Sequence, residues 1–277
     1  MDSGERQGVR MKTCKGFIVI MALMALAVGP AQAEMYVEMY GGLNTASSSE
    51  DPFRVTPDPG GLEGVPPFTP NYPGDIESSF EFGLKCGTWF VEGGTWGADY
   101  PDWMKNMGCY LDYSYQSLDF DSQNGTKTLQ WPTGPYTYEY CADSSGEAHA
   151  VALMWAYRWG LAPDTGMPFG RWQPYVAVGP AVYFSSQHPT ATSPPTGPDR
   201  KFDDFGSDSS VDFGLEAELG LRWMVRQDIS LDASVKYRYA APCYDYSVVD
   251  EYGWRHEVEM DVTYELMSFQ LGAAYHF

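Results

Sequence analysis

The chain has 277 residues, a formal net charge of −20 and an aromatic content of 16%. So acidic a balance excludes nucleic acid as a partner, because that role needs a basic footprint. No apolar run after residue 33 is long enough for a membrane helix, so the many aromatic residues must be spread through another pattern.

Met11 to Lys15 is a short basic region, and Met11 is read as the true start, with residues 1–10 as an upstream extension. Phe17 to Val28 is apolar, Gly29 and Pro30 break the run, and Ala31-Gln32-Ala33 fits a small-x-small cleavage site. Residues 1–33 therefore read as a secretory signal peptide region, and residues 34–277 as the mature domain. Cys14 precedes the apolar run, so it is not a lipoprotein cysteine. Removal of this region takes away Arg6, Arg10, Lys12 and Lys15 against Asp2 and Glu5, which leaves a mature charge near −22.

Eight segments then repeat with a period of two, the spacing that puts alternate side chains on opposite faces of a strand. Met35–Asn44 sets Val37, Met39 and Leu43 against Tyr36, Glu38 and Tyr40. Residues 45–76 read as a long loop. Glu77–Glu92 sets Phe80, Phe82, Leu84, Cys86 and Phe90 against Glu81 and Lys85. The connection that follows carries Trp96, Tyr100 and Trp103, which suit a membrane interface. Gly108–Phe120 sets Leu111, Tyr113 and Tyr115 against Asp112, Ser114 and Gln116, and a polar loop is expected to run to Gly146. Glu147–Leu161 sets Val151, Leu153, Trp155, Tyr157 and Trp159 against Ala150, Ala152, Met154, Ala156 and Arg158.

Trp172–Ser185 sets Val176, Val178, Val182 and Phe184 against Tyr175, Ala177, Gly179 and Tyr183, with a bulge or local irregularity expected at Pro180. In 211–224, Leu215, Leu219 and Trp223 alternate with Glu216, Glu218 and Arg222. In 229–239, Leu231, Val235 and Tyr237 alternate with Asp232, Lys236 and Arg238. After a loop from about Ala240 to Asp261, the last segment places Phe269, Leu271, Ala273, Tyr275 and Phe277 on one face. An aromatic row on an open sheet edge invites aggregation, whereas a closed barrel in lipid has no edge and needs an apolar outside. Connections after the first, third, fifth and seventh segments are long and the others shorter, as between the two sides of a membrane barrel.

The fold expected is all-β, an eight-stranded antiparallel up-and-down transmembrane barrel with long extracellular loops. Its inward charges are Glu38, Glu81, Asp112, Glu216, Glu218 and Asp232 against Lys85, Arg158, Arg222, Lys236 and Arg238, six acids against five bases. Buried charges persist when paired, and a barrel of eight strands is filled by its side chains, so a salt-bridged plug is expected. A narrow pore for small solutes is the alternative. A lipid-modifying envelope enzyme ranks third.

Four cysteines follow the leader. Cys86 and Cys109 flank one turn, where direct register would set them opposite each other; Cys141 and Cys243 fall in long loops. Disulfides and free thiols are both open. No calcium loop is complete around Asp119, Asp121 and Gly125 or around Asp203, Asp204 and Asp208, so no metal or cofactor is expected. Among His149, His188, His256 and His276, Ser185 and Ser186 lie near His188 and Asp250 near His256, but sequence adjacency makes no catalytic triad. No catalytic residue is expected.

The segment WQPYVAVGP (172–180) resembles the recurrent PYVGxG strand of small bacterial outer-membrane barrels of the OmpA/OmpX-like superfamily, with Ala177 in place of the first Gly. The segment AYRW (156–159) and the terminal Phe277 also match. The His-x-Ser pair that lipid A deacylases of this class carry on a late strand does not occur. The resemblance implies location in the outer membrane, contact with its lipid and lipopolysaccharide, and handling by periplasmic chaperones and the barrel assembly machinery. Under it, the residues from Phe269 to Phe277 become the assembly signal. An extracellular ligand is left unnamed. The chain ends with the barrel, so a periplasmic peptidoglycan-binding domain is not expected.

Overall fold

A computed structural model describes residues 34–45, 47–49, 53–57, 74–90, 101–131, 134–163, 165–167, 169–192, 206–249 and 255–277. The expected leader lies outside them, as do Trp96, Tyr100, Asp203, Asp204 and Asp250. The strands are β1 (Glu34–Asn44), β2 (Ser47–Ser49), β3 (Phe53–Pro57), β4 (Gly74–Ile76), β5 (Phe80–Trp89), β6 (Met107–Ser117), β7 (Phe120–Trp131), β8 (Gly134–Arg158), β9 (Trp172–Thr192), β10 (Asp208–Met224), β11 (Ile229–Ala240), β12 (Cys243–Val249), β13 (Arg255–Asp261) and β14 (Tyr264–His276).

Eight of these close a ring in the order β1-β5-β6-β8-β9-β10-β11-β14, every neighbouring pair antiparallel, and β14 returns to β1. The eight predicted segments are these eight strands. The closing pair runs from Tyr36 opposite His276 to Asn44 opposite Ser268. Ring closure leaves no free edge there, which is the condition for placing Phe269, Leu271, Tyr275 and Phe277 outward. Those four are exposed, as are Phe213 (86%), Leu219 (61%) and Met39 (72%), while Glu216, Glu218 and Glu38 on alternate positions are buried. The apolar surface of this barrel is therefore its outside, and its core is polar.

At the end where β1 begins and β14 finishes, Val225–Asp228 joins β10 to β11 in a tight turn, and a 3-10 helix (Asp102–Asn106) with exposed Trp103 precedes β6. At the opposite end the chain builds upward. The expected polar loop to Gly146 is in fact β7 and the first half of β8, paired from Gln123–Ala142 to Trp131–Gly134. The expected loop between β11 and β14 holds the hairpin β12–β13, which β3 extends. Strand formation there follows β-favouring residues such as Thr126, Thr128, Thr137, Tyr244 and Tyr246 rather than an alternation of oil and water.

The irregularity expected at Pro180 is a gap in the β8–β9 ladder and not a bulge. β9 keeps one register with β10 through Leu215–Pro180, and one register with β8 on either side, where only two pairs drop out of the ladder. Pro180 points outward, and Gly179 brings its backbone against the Leu153 carbonyl, so the missing N–H is absorbed without a shift.

Candidate functional site

The site is the filled lumen. Neighbouring ring strands present opposite charges in direct register: Glu38 opposite Lys85, Lys85 opposite Asp112, Glu218 opposite Lys236, Glu216 opposite Arg238 and Arg222 opposite Asp232. Cross-strand neighbours at that spacing pair side by side. All eleven residues expected to face inward are buried.

Midway along the lumen, Lys85 Nζ lies 3.1 Å from Glu38 Oε1 and 2.6 Å from Glu218 Oε1. Arg222 joins Glu38 Oε2 at 2.5 Å and Asp232 Oδ2 at 3.3 Å. Lys236 is paired with Asp112 and stands 3.3 Å from Glu218 Oε2. Toward the loop end, Arg238 Nη1 meets Glu81 Oε2 at 2.6 Å and Arg238 Nε meets Glu216 Oε1 at 3.4 Å. Removing water from such charges costs several kcal/mol per ion, and that cost is met only where partners are close and numerous.

Tyrosines supply further partners. Tyr40 donates to Asp112 Oδ1 at 2.8 Å, Tyr110 to Glu218 Oε2 at 3.0 Å, and Tyr183 to Glu216 Oε1 at 3.0 Å. Their rings are accommodated by glycines on adjacent strands. A Cβ on Gly83 would strike the Tyr40 ring, and one on Gly220 the Tyr175 ring. Sequence reasoning put Tyr40, Tyr175 and Tyr183 on the inward face but gave them no role, and passed over Tyr110. Their shared parity with the charges is the signal that finds them.

Arg158 departs from the expected network. It lies at the terminal end, bound by both guanidinium nitrogens to Glu34, at 2.9 and 2.6 Å, and stacked 4.4 Å from the Trp89 ring. Glu34 stands outside the count of six acids and five bases. With Arg158 committed to Glu34, six carboxylates face the four cations Lys85, Arg222, Lys236 and Arg238.

The pairing of β11 with β14 and of β14 with β1 sets His276 between Ser230 and Glu34, an arrangement that sequence adjacency did not reveal. Ser230 Oγ and His276 Nε2 are 2.8 Å apart, and His276 Nδ1 is 3.4 Å from Glu34 Oε1. Ser230 is completely buried and Glu34 is occupied by Arg158, so an acyl group has no route to the hydroxyl. Near the other histidines, Ser185 accepts from Tyr244 (2.6 Å), and His149 is bonded to Tyr113 (2.8 Å) on the outer face.

Above the charges the lumen is closed a second time. Tyr244, Tyr246, Val258 and Met260 of the β12–β13 hairpin are buried against Ile76, Leu118, Phe120 and Leu266. Tyr244 and Tyr264 share a hydrogen bond of 2.9 Å, Gln187 donates to Tyr264 at 3.1 Å, and Tyr246 donates to the Gln187 carbonyl at 3.2 Å.

Cys86 pairs with Leu111 and Cys109 with Thr88, which sets the two cysteines on a diagonal rather than opposite each other. Diagonal side chains are about 7–8 Å apart, too far for a disulfide with Cβ atoms about 3.5–4.5 Å apart. Both thiols are free, as is that of Cys243. Cys141 and Cys243 lie on β8 and β12, not in loops. Of the acids tested for calcium, Asp119 takes the Ser117 hydroxyl at 2.6 Å and the Gly146 amide at 3.2 Å, and Asp208 takes the Asp245 amide at 2.9 Å. Asp121 and Gly125 lie on β7.

Residues 18–277 match the family model described as outer membrane protein beta-barrel domain, and the chain belongs to that family. It is an integral protein of the bacterial outer membrane. Among solved structures, OprG of Pseudomonas aeruginosa is 16% identical, with 90% of this chain and 98% of that one covered and a TM-score of 0.48. A major outer membrane protein of Thermus thermophilus is 13% identical over 89% and 100%, with a TM-score of 0.48. The outer membrane protease OmpT of Escherichia coli is 10% identical over 87% and 97%, with a TM-score of 0.43. No curated protein matches the sequence.

Proposed function

We propose that this outer-membrane barrel works through its loop-end surface, with the lumen serving as a structural plug. The observation that carries this reading is the double closure: a buried charge network within the ring and a tyrosine-rich cap above it. The strands that continue beyond the ring build a paired-strand platform at that end. Its exposed Asp245, Glu257 and Asp261 give it an acidic rim, suited to a basic ligand or to cation-bridged contact with neighbouring lipopolysaccharide. The apolar belt is the lipid contact. The outward row from Phe269 to Phe277 is the part that the assembly machinery and chaperones read. No chemical step is assigned, because Ser230 beside His276 is completely buried.

Complementation of a deletion strain tests the reading. A barrel with the β12–β13 hairpin and the outer part of β7–β8 replaced by short turns is expected to reach the outer membrane and stay heat-modifiable, yet fail to restore the envelope phenotype. Full restoration by that shortened barrel would contradict a surface role.

A further inference from the structure

Tyr175 Oη lies 2.5 Å from Glu218 Oε1 and 2.8 Å from Asp232 Oδ1. A phenol carries a single proton, so it can donate to only one of these oxygens. Two ionised carboxylates would leave the second contact as oxygen against oxygen with no hydrogen between them, in a core without exposed polar surface. One of the acids must therefore bring its own proton.

The neighbours decide which. Glu218 is held by two ammonium groups, Lys85 at 2.6 Å and Lys236 at 3.3 Å, and also accepts from Tyr110 at 3.0 Å. Among the described residues Asp232 has Arg222 alone as an ion-pair partner, at 3.3 Å, and Arg222 is shared with Glu38 at the shorter distance of 2.5 Å. Across the ladder on the other side, β14 offers Asp232 only Gly272. The charged and titratable groups that face Asp232 are thus Tyr175 from β9, Glu218 and Arg222 from β10, Glu38 from β1 and Lys85 from β5. The charge count agrees, since six carboxylates share four cations, and an uncompensated buried charge is costly.

We infer that Asp232 is a proton-binding site of the lumen, its neutral carboxyl donating to Tyr175 Oη while Tyr175 donates to ionised Glu218. The lumen thereby carries a titratable proton whose loss would place a second negative charge beside Glu218 and Glu38. The plug's charge state therefore depends on pH.

Infrared spectroscopy of the refolded barrel in micelles, with 13C-labelled aspartate, tests the assignment. At about pH 6 an exposed aspartate, with its pKa near 3.9, is almost fully ionised. The expected result is a protonated-carboxyl C=O band that shifts with the aspartate label and disappears in Asp232→Asn. No such band in the wild type, or a band that survives in Asp232→Asn, would overturn it. Thermal unfolding gives an independent reading. Asp232→Asn, which mimics the neutral acid, should shift the midpoint little, whereas Glu218→Gln should lower it by roughly 5 °C or more. Equal losses in the two variants would contradict the placement of the proton. If Glu218→Gln does not fold, the spectra of the wild type and Asp232→Asn decide.

Discussion

The ring and the platform above it are both antiparallel sheet, but they are written in the sequence by different rules. In the ring, each strand separates lipid from a polar lumen. Leu215, Leu219 and Trp223 are exposed while Glu216, Glu218 and Arg222 between them are buried. A slip of one residue would put every charge into lipid, so the alternation is strict. Above the ring, the outer face of the β12–β13 hairpin is wet and carries acids, and its inner face is packed by Tyr244, Tyr246 and Met260. The platform is held by packing and tyrosine hydrogen bonds, the ring by charge pairing within and lipid without.

This contrast orders the expected losses. Truncation of a lumen cation should cost most. Lys236→Ala leaves Asp112 and Glu218 short of a partner and should lose about 3–5 kcal/mol in urea unfolding monitored by gel mobility. Next is a charge placed on the lipid side of the same wall. Leu219→Arg, near the middle of β10, should cost about 2–4 kcal/mol, and tolerance of it would contradict the assigned outer face. Deletion of Phe277, exposed beside Tyr275 with ring centroids 5.0 Å apart, should cost roughly 1.5–3 kcal/mol by buried apolar area and should reduce folded outer-membrane protein further, with secretion intact. Wild-type levels of folded barrel would remove the assembly role from this strand.

Platform changes should be smaller and local. Tyr244→Phe removes hydrogen bonds to Ser185 and Tyr264 and should cost about 0.5–1.5 kcal/mol without loss of heat-modifiability. Cys243 gives a change with no expected effect on stability. Its S–H donates to Asp261, and partial burial and the charges of Asp261, Asp245 and Glu259 add to that, so the thiol is pushed up to about 12. A raised value keeps the thiol protonated through neutral pH. Iodoacetamide should therefore label Cys243 slowly at about pH 8 compared with a free cysteine of pKa about 8.5, and Asp261→Asn should speed the reaction. Rapid labelling of the wild type would contradict that hydrogen bond.

The same contrast explains what could be read before the structure. All eight ring strands and the eleven inward charges were legible, because lipid imposes a period of two on residues such as Val211 to Met224. The platform strands β7, β12 and β13 were read as loops, because the short-range pattern of Phe120–Trp131 lacks an apolar face. Cross-lumen partners were not legible at all. Glu34 on β1 meets Arg158 on β8 across 124 positions, and Lys85 on β5 meets Glu218 on β10 across 133, and only closure of the ring sets those pairs. Glu34 opens the mature domain, and nothing near it in sequence marks it as the partner of Arg158.

Planar-bilayer recording on the purified, refolded barrel addresses the central claim directly. With Lys85, Lys236, Arg222 and Arg238 locked to their acids and the tyrosine cap seated above, the membrane should show no stable unit currents. Reproducible unit currents from the wild-type barrel would contradict a closed lumen and favour the narrow pore.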